Sequence, residues 1–199
     1  STHEALAGGM TLAGTLELIA AAKLDRPVVV FSYLNPVFRY GLDRFLRDAA
    51  ELGVAGLLLT DLPAGSDPGI EAQVRESSLD LIRLVAPTTA GDRLHAVTAG
   101  AQGFLYLVAR LGVTGKSREL ATGLGDYVAR VRAASALPLA LGFGISTPDQ
   151  AVAVARLADG VVVGSALVER LAREGPAAAG RMLAELRQAI DQADLERGA

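Results

Sequence analysis

The 199-residue sequence contains no cysteine and no tryptophan, and its only histidines are His3 and His95. Without cysteine the chain can form neither a disulfide framework nor a thiolate metal site, and two imidazoles are too few for a structural zinc site. We therefore expect no metal. Lys and Arg number 19 against 22 Asp and Glu, which gives a net charge of −3. Because the basic residues are scattered along the chain, we expect no nucleic-acid binding.

Long hydrophobic runs are also absent. Mean hydropathy is +0.35, yet no apolar run reaches the ~18 residues needed to cross a bilayer. The first residues, Ser1 to Glu4, do not have the basic and then apolar pattern of a signal peptide. The sequence therefore predicts a cytoplasmic protein without a membrane span. Since 51% of the residues are hydrophobic and no linker divides the chain, we predict one domain over residues 1–199.

What the sequence does contain is an alternation of two periodicities. Short runs that are apolar on both faces, as buried parallel strands are, alternate with segments of helical spacing. This alternation is typical of repeated βα units. We predict six strands, at residues 28–33, 55–60, 79–86, 103–109, 137–142 and 160–164.

Apolar residues at helical spacing predict crossover helices over 12–23 and 42–52, and the chain after Ser165 is expected to be helical only. The segment Thr147-Pro148-Asp149-Gln150 predicts a helix start, with Thr147 as N-cap and Gln150 completing a capping box. Three further carboxylates are expected near helix starts, where the helix dipole favours them: Asp43, Asp92 and Asp126.

The predicted order begins with a helix, and six strands are two fewer than a closed (β/α)8 TIM barrel has. Such a barrel usually takes ~250 residues. We therefore predict an α/β TIM barrel whose first two βα units are missing from this chain. The strands at 28–33 and 160–164 would then form open edges.

Three glycine-bearing turns follow the last predicted strands. They are Gly112-Val113-Thr114-Gly115, Gly142-Phe143-Gly144-Ile145-Ser146 and Gly164-Ser165. In α/β barrels the functional site lies at the carboxyl ends of the strands. Glycine lets the backbone approach a ligand closely, and a helix start favours an anion. Any one of these turns is ordinary, but three in succession predict a phosphate-binding site.

Two nucleotide-binding motifs are incomplete. The segment Gly115-Lys116-Ser117 resembles the end of a P-loop, but Arg110 occupies the position of the first glycine. The segment Gly142-Phe143-Gly144 resembles a dinucleotide fingerprint, but Thr147 occupies the position of the third glycine. The sequence therefore favours neither a nucleotide hydrolase nor a Rossmann fold.

These turns belong to a longer series of motifs in a fixed order. The motifs are Tyr33-Leu34-Asn35-Pro36, Asp61-Leu62-Pro63, Leu84-Val85-Ala86-Pro87-Thr88-Thr89, Gly103-Phe104-Leu105-Tyr106, the three glycine turns, and Asp159 to Val168. In this order and spacing the chain resembles the tryptophan synthase α-subunit family over nearly its whole length. The resemblance implies a lyase that cleaves indole-3-glycerol phosphate to indole and glyceraldehyde 3-phosphate in tryptophan biosynthesis.

The resemblance also implies roles for individual residues. The substrate phosphate would be bound by Gly115, Phe143, Gly144, Gly164 and Ser165. The indole pocket would be walled by Phe31, Tyr33 and Leu58. Tyr106 would lie near the reacting centre, and Thr114, in a mobile loop with Arg110, would meet the Asp61 carboxylate. From spacing alone, Asp61 is equally well explained as a turn residue before Leu62-Pro63.

The two principal catalytic carboxylates of the family, a Glu and an Asp, have no counterpart in this sequence, because the resemblance places them before residue 1. It also implies that this chain carries no cofactor. The expected partner is a pyridoxal-phosphate β subunit in an α2β2 heterotetramer, contacted through Asn35 and Pro63.

Two alternatives remain open at this stage. The chain could be a noncatalytic phosphate-binding protein that modulates a β-type subunit. It could also be another phosphate-binding barrel enzyme, such as an isomerase of histidine or tryptophan biosynthesis. The segments Gly112 to Gly115 and Leu84 to Thr89 fit such isomerases poorly.

Overall fold

The structure is a computed structural model that describes residues 8–108, 117–142 and 144–198, except for the side chains of 117–122 and 196–198. The described chain forms two compact units. The first unit consists of the residues up to Val85 together with Ala90–Leu105. The second unit consists of Ala86–Thr89 and the residues from Tyr106 onward.

The first unit is built from alternating strands and helices. Its elements are α1 (Leu12–Ala22), β1 (Val28–Ser32), α2 (Leu34–Tyr40), α3 (Leu42–Glu51), β2 (Val54–Leu59), α4 (Pro68–Glu76), β3 (Asp80–Val85) and α5 (Gly91–Ala99). Strands β1 and β2 pair in parallel, as do β2 and β3. Parallel neighbours require a crossover connection, and the helices between these strands supply it.

The core of the first unit lies on one face of its three strands. Val30, Leu57 and Leu81 occupy neighbouring positions in the register of β1, β2 and β3, and all three belong to one buried cluster. Helix α3 packs into the same cluster through its apolar stripe, which includes Phe45 and Leu46. Since side chains alternate along a strand, the neighbouring row points to the opposite face.

The second unit repeats the same pattern. Its elements are α6 (Ser117–Ala134), β5 (Leu139–Gly142), α7 (Pro148–Ala155), β6 (Gly160–Val162), α8 (Ser165–Glu174) and α9 (Pro176–Gly198), and β4 (Leu105–Val108) spans the boundary along the chain. Strands β5 and β6 pair in parallel, with Gly142 opposite Val162. Gly175 has φ +82° and Pro176 begins α9, so the helical segment that the sequence predicts after Ser165 is divided into two helices there.

All six predicted strands are present. The second, Val54–Leu59, begins and ends one residue earlier than predicted, and within the described residues each of the others is shorter than predicted by one or two residues at one or both ends. The capping box at Thr147 and Gln150 is confirmed, and Asp43 and Asp92 lie in the first turns of their helices. The expectation for Asp126 is wrong, because α6 begins at Ser117 and places Asp126 in its interior. The helix continues through Gly123 and Gly125, although each glycine disfavours a helix interior by about 1 kcal/mol.

Candidate functional site

The candidate phosphate site lies beyond the carboxyl ends of β5 and β6. Gly142 and Val162 are paired positions of β5 and β6. Gly144 lies two residues after Gly142, and Gly164 lies two residues after Val162. Gly144 has φ +79°, a conformation that side-chain-bearing residues rarely adopt. Gly164 is the N-cap of α8 and supplies no side chain to cap it. The first backbone N–H groups of α8 therefore have no intrahelical acceptor, and Ser165 is exposed beside them. An anion fits this arrangement.

Tyr106, on β4, lies against the end of β5. A β-carbon at Gly142 would stand 2.7 Å from the Tyr106 hydroxyl oxygen. Burial raises the pKa of the Tyr106 phenol. The phenol is therefore neutral near pH 7 and can donate a hydrogen bond there.

The segment after β3 is fixed by two hydrogen bonds within the second unit. Thr89 Oγ1 accepts a hydrogen bond from the Ala86 N–H at 3.2 Å. Arg130, on α6, donates from Nη2 to the Pro87 carbonyl oxygen at 2.7 Å. This part of the motif Leu84 to Thr89 thus has a defined main-chain position.

In the first unit, two of the three predicted pocket residues lie side by side. Phe31 and Leu58 are paired positions of β1 and β2, and both point away from the core cluster of that unit. Leu58 is 1% exposed, whereas Phe31 is 59% exposed. Tyr33, which is 56% exposed, is the N-cap residue of α2. An exposed aromatic beside a buried leucine can form one wall of a pocket for a flat apolar ring.

Asp61 follows β2 and reaches back to the loop after β1. Its Oδ1 accepts a hydrogen bond from the Leu34 N–H at 2.7 Å. Leu34 is the first residue of α2, and the N-cap residue Tyr33 makes no side-chain capping bond. The Asp61 carboxylate therefore caps this short helix from 27 residues away in sequence.

A buried ion pair beneath the Asp61 loop was not predicted. Arg83 on β3 is 4% exposed and Glu71 on α4 is 9% exposed. Arg83 Nη2 lies 2.5 Å from Glu71 Oε2. The sequence did carry one signal, because Arg83 is a charged residue within the apolar run 79–86. Long charged side chains are almost never fully buried unless they are paired.

Three predicted site residues, Thr114, Gly115 and Phe143, lie outside the described residues, as does Arg110. Within the described part of the chain, no group of three or more His, Asp or Glu side chains could hold a metal ion. The helices of that same part include none with the length and apolarity that a membrane crossing requires.

The family model described as "Tryptophan synthase alpha chain" matches residues 1–196. Solved tryptophan synthase structures are similar over most of this chain. The alpha chain from Legionella pneumophila subsp. pneumophila is 34% identical with a TM-score of 0.83, and the match covers 95% of this chain and 73% of that one. A tryptophan synthase structure from Mycobacterium tuberculosis is 38% identical with a TM-score of 0.83, over 95% and 72% of the two chains. The subunit alpha from Campylobacter jejuni is 30% identical with a TM-score of 0.84, over 92% and 73%.

Proposed function

Because the chain belongs to the tryptophan synthase alpha-chain family, we propose that it is a carbon–carbon lyase that cleaves indole-3-glycerol phosphate to indole and glyceraldehyde 3-phosphate. Family membership confirms the predicted fold class, the TIM-barrel fold, of which six parallel strands lie among the described residues. It also assigns the chain to tryptophan biosynthesis. Alpha chains of this family carry no cofactor, and pyridoxal phosphate belongs to the beta subunit.

The match over residues 1–196 carries the proposal, and the start of α8 supports it chemically. A phosphate monoester needs several hydrogen-bond donors and a positive field, and an uncapped helix N-terminus offers both. We assign phosphate binding to Gly144, Gly164 and Ser165, together with Gly115 and Phe143. Anchoring the phosphate would orient the glycerol tail for cleavage.

The indole ring is assigned to the surface beside β1 and β2. Phe31 and Leu58 are adjacent there, and Tyr33, the N-cap residue of α2, follows directly after β1. An apolar wall of this kind holds a flat ring by burial and gives it no alternative polar partner. Tyr106 is assigned a supporting role at the reacting centre, where its neutral phenol would donate a hydrogen bond.

Cleavage requires protonation of indole C3 and removal of a proton elsewhere. In the family these transfers belong to a Glu and an Asp, and the resemblance assigns neither of them to a residue of this sequence. Asp61 and Thr114 are assigned supporting roles. In the structure Asp61 Oδ1 accepts a hydrogen bond from the Leu34 N–H.

The partner is proposed to be a tryptophan synthase beta subunit in an α2β2 assembly, in the cytoplasm. Asn35, in the first turn of α2, and Pro63, after β2, are assigned to the contact. Both positions follow strands of the first unit at their carboxyl ends.

The test is indole release from indole-3-glycerol phosphate by the purified chain, with and without a purified beta chain. Release above the rate of a no-enzyme blank supports the lyase proposal. Activation of the beta chain without any cleavage would instead favour a noncatalytic modulator. A Phe31→Ala variant tests the indole assignment, because it removes the exposed ring without disturbing the core cluster on the other face, and it should raise the KM for indole-3-glycerol phosphate.

A further inference from the structure

The loop between β2 and α4, residues 60–67, is fixed to the rest of the first unit by three hydrogen bonds to its main chain. Arg83 Nη1 donates to the Leu62 carbonyl oxygen at 2.8 Å. Arg93 Nη1, on α5, donates to the Ala64 carbonyl oxygen at 2.7 Å. The Gly65 N–H donates to Glu71 Oε1 at 2.6 Å. Three elements, β3, α4 and α5, therefore hold one short loop.

Two of these contacts come from the buried ion pair. Glu71 uses Oε1 for the loop and Oε2 for Arg83, while Arg83 uses Nη1 for the loop and Nη2 for Glu71. Arg83 Nε and Nη2 are buried without an aligned hydrogen-bond acceptor, so the Nη2 contact is an ion pair with imperfect hydrogen-bond geometry. Burying two charges costs desolvation that apolar residues of similar volume would avoid. Stability alone does not account for the pair.

The loop that these residues hold is the one that carries Asp61. The Thr60 N–H donates to the Ser32 carbonyl oxygen at 3.1 Å, so the β1–β2 ladder continues as far as residue 60. Asp61 is the next residue, and its carboxylate must reach the Leu34 N–H to cap α2. The position of Asp61 therefore depends on the β1–β2 ladder before it and, after it, on the main chain from Leu62 to Gly65, which the three hydrogen bonds hold in place.

We propose that Arg83, Glu71 and Arg93 are positioning residues that hold loop 60–67 so that Asp61 caps α2, and that they thereby keep the loops after β1 and β2 in one fixed surface. The surface includes Asn35 on α2 and Pro63 in the loop. That it receives a beta subunit rests on the proposed function. The fixed arrangement itself rests only on the contacts above.

Two double variants separate the effect of the three loop hydrogen bonds, here called the tethers, from the effect of the two charges of the ion pair. Arg83→Met with Glu71→Leu replaces the ion pair by apolar side chains, which commonly preserves folding, and removes two tethers. Arg83→Met with Glu71→Gln also removes both charges but keeps an amide oxygen for the Gly65 N–H. Arg93→Met removes the third tether alone. Arg75→Met is the matched control, because it removes an exposed guanidinium from the same helix as Glu71 and leaves the three tethers in place.

The first readout is hydrogen–deuterium exchange of the Leu34 amide relative to the amides of β2, with Asp61→Ala marking complete loss of the cap. We expect Arg83→Met with Glu71→Leu to accelerate Leu34 exchange about tenfold beyond any change in β2, as losing one charge-assisted hydrogen bond would. The variant with Glu71→Gln and the Arg93→Met variant should show smaller increases, and Arg75→Met none. Equal acceleration of Leu34 and the β2 amides, or no acceleration, would overturn the proposal.

The second readout is the dissociation constant for a purified tryptophan synthase beta chain. We expect about tenfold weaker binding for Arg83→Met with Glu71→Leu and unchanged binding for Arg75→Met. If the unaltered chain does not bind the beta chain, the proposed partner is wrong, while the Leu34 exchange still decides the positioning role. If the variant loses Leu34 protection yet binds as tightly as the unaltered chain, the link between this surface and the partner is overturned.

Discussion

The hydroxyl oxygen of Tyr106 lies so close to Gly142 that a β-carbon at residue 142 would stand 2.7 Å from it. The same β-carbon would stand 2.8 Å from Val162 Cβ and 3.0 Å from the Val162 carbonyl oxygen. Tyr106 on β4 and Val162 on β6 thus converge on a position that only glycine fits, and one of the three contacting atoms is a backbone oxygen. This close approach places a phenol beside the end of β5, from which the candidate phosphate site continues.

Replacing Gly142 by alanine should therefore destabilise the protein. Because the Val162 carbonyl oxygen belongs to the β5–β6 ladder and cannot move away cheaply, we expect a loss of about 1–3 kcal/mol in the free energy of unfolding. Denaturant unfolding measures it. Gly160→Ala is the matched control, because a β-carbon there would meet Ala140 Cβ at 3.4 Å, an ordinary contact. A Gly142→Ala variant as stable as Gly160→Ala would contradict the close approach.

Sequence reasoning succeeded where the determining interactions are local. The strands follow from short apolar runs, and the start of α7 follows from Thr147 and Gln150, which are three residues apart. It failed where the partner is distant in sequence. Helix α2 was not predicted, since its capping carboxylate, Asp61, is 27 residues away. The roles of Arg83 and Glu71 were likewise invisible, because each depends on main-chain atoms of a loop in another part of the sequence.

The same distinction holds for the candidate site. The start of α8 at Gly164 and Ser165 could be predicted, because glycine followed by a helix is a local signal. That Phe31 and Leu58 are neighbours could not be derived from periodicity, since it depends on the register of β1 against β2. The sequence resemblance proposed both as pocket residues, and the register now gives their adjacency a physical basis.

The capping box of α7 provides a second test. Thr147 Oγ1 accepts from the Gln150 N–H at 3.4 Å, and Gln150 Oε1 accepts from the Thr147 N–H at 3.2 Å. Thr147→Ala leaves the Gln150 N–H without its acceptor, so we expect a loss of about 1 kcal/mol in thermal or denaturant unfolding. Thr15→Ala is the control, because its hydroxyl donates to the carbonyl oxygen of Thr11, the N-cap residue of α1, and caps no backbone N–H. That variant should be neutral or slightly stabilised.

Asp159 should make stability depend on acid pH. Its Oδ2 accepts from the Leu139 N–H at 2.8 Å, and Arg132 Nη2 lies 3.1 Å from the same oxygen. The Leu139 N–H, and after it Arg132, hold the pKa of the Asp159 carboxyl below its usual value. Since the folded-state pKa is lowered, the Asp159 carboxylate stabilises the folded state. Its contribution to the free energy of unfolding is complete above the unfolded pKa of about 3.9 and is lost as pH falls through the folded pKa.

The measurement is the free energy of unfolding of the unaltered chain and of Asp159→Asn between pH 7 and pH 2. The two should differ by about 1 kcal/mol or less at pH 6–7, because the carboxylate is partly exposed and screened by solvent. The difference should shrink as pH falls below about 4. A difference that stays constant down to pH 2 would mean that the Asp159 charge contributes nothing to folding.

Ser165 offers a test of phosphate binding in which stability and binding should move in opposite directions. Ser165 is exposed in the first turn of α8, where an added carboxylate interacts favourably with the helix dipole. Ser165→Asp should therefore leave the free energy of unfolding unchanged or raise it by about 0.3–1 kcal/mol. The same carboxylate would stand where the substrate phosphate is proposed to bind, and the repulsion should raise the KM for indole-3-glycerol phosphate at least about tenfold. Ser165→Asn has nearly the same shape without the charge and should bind substrate far better than Ser165→Asp. Equal KM values for Ser165→Asp and Ser165→Asn would show that the substrate phosphate does not bind at the N-terminus of α8, even if the chain proved to be an active lyase.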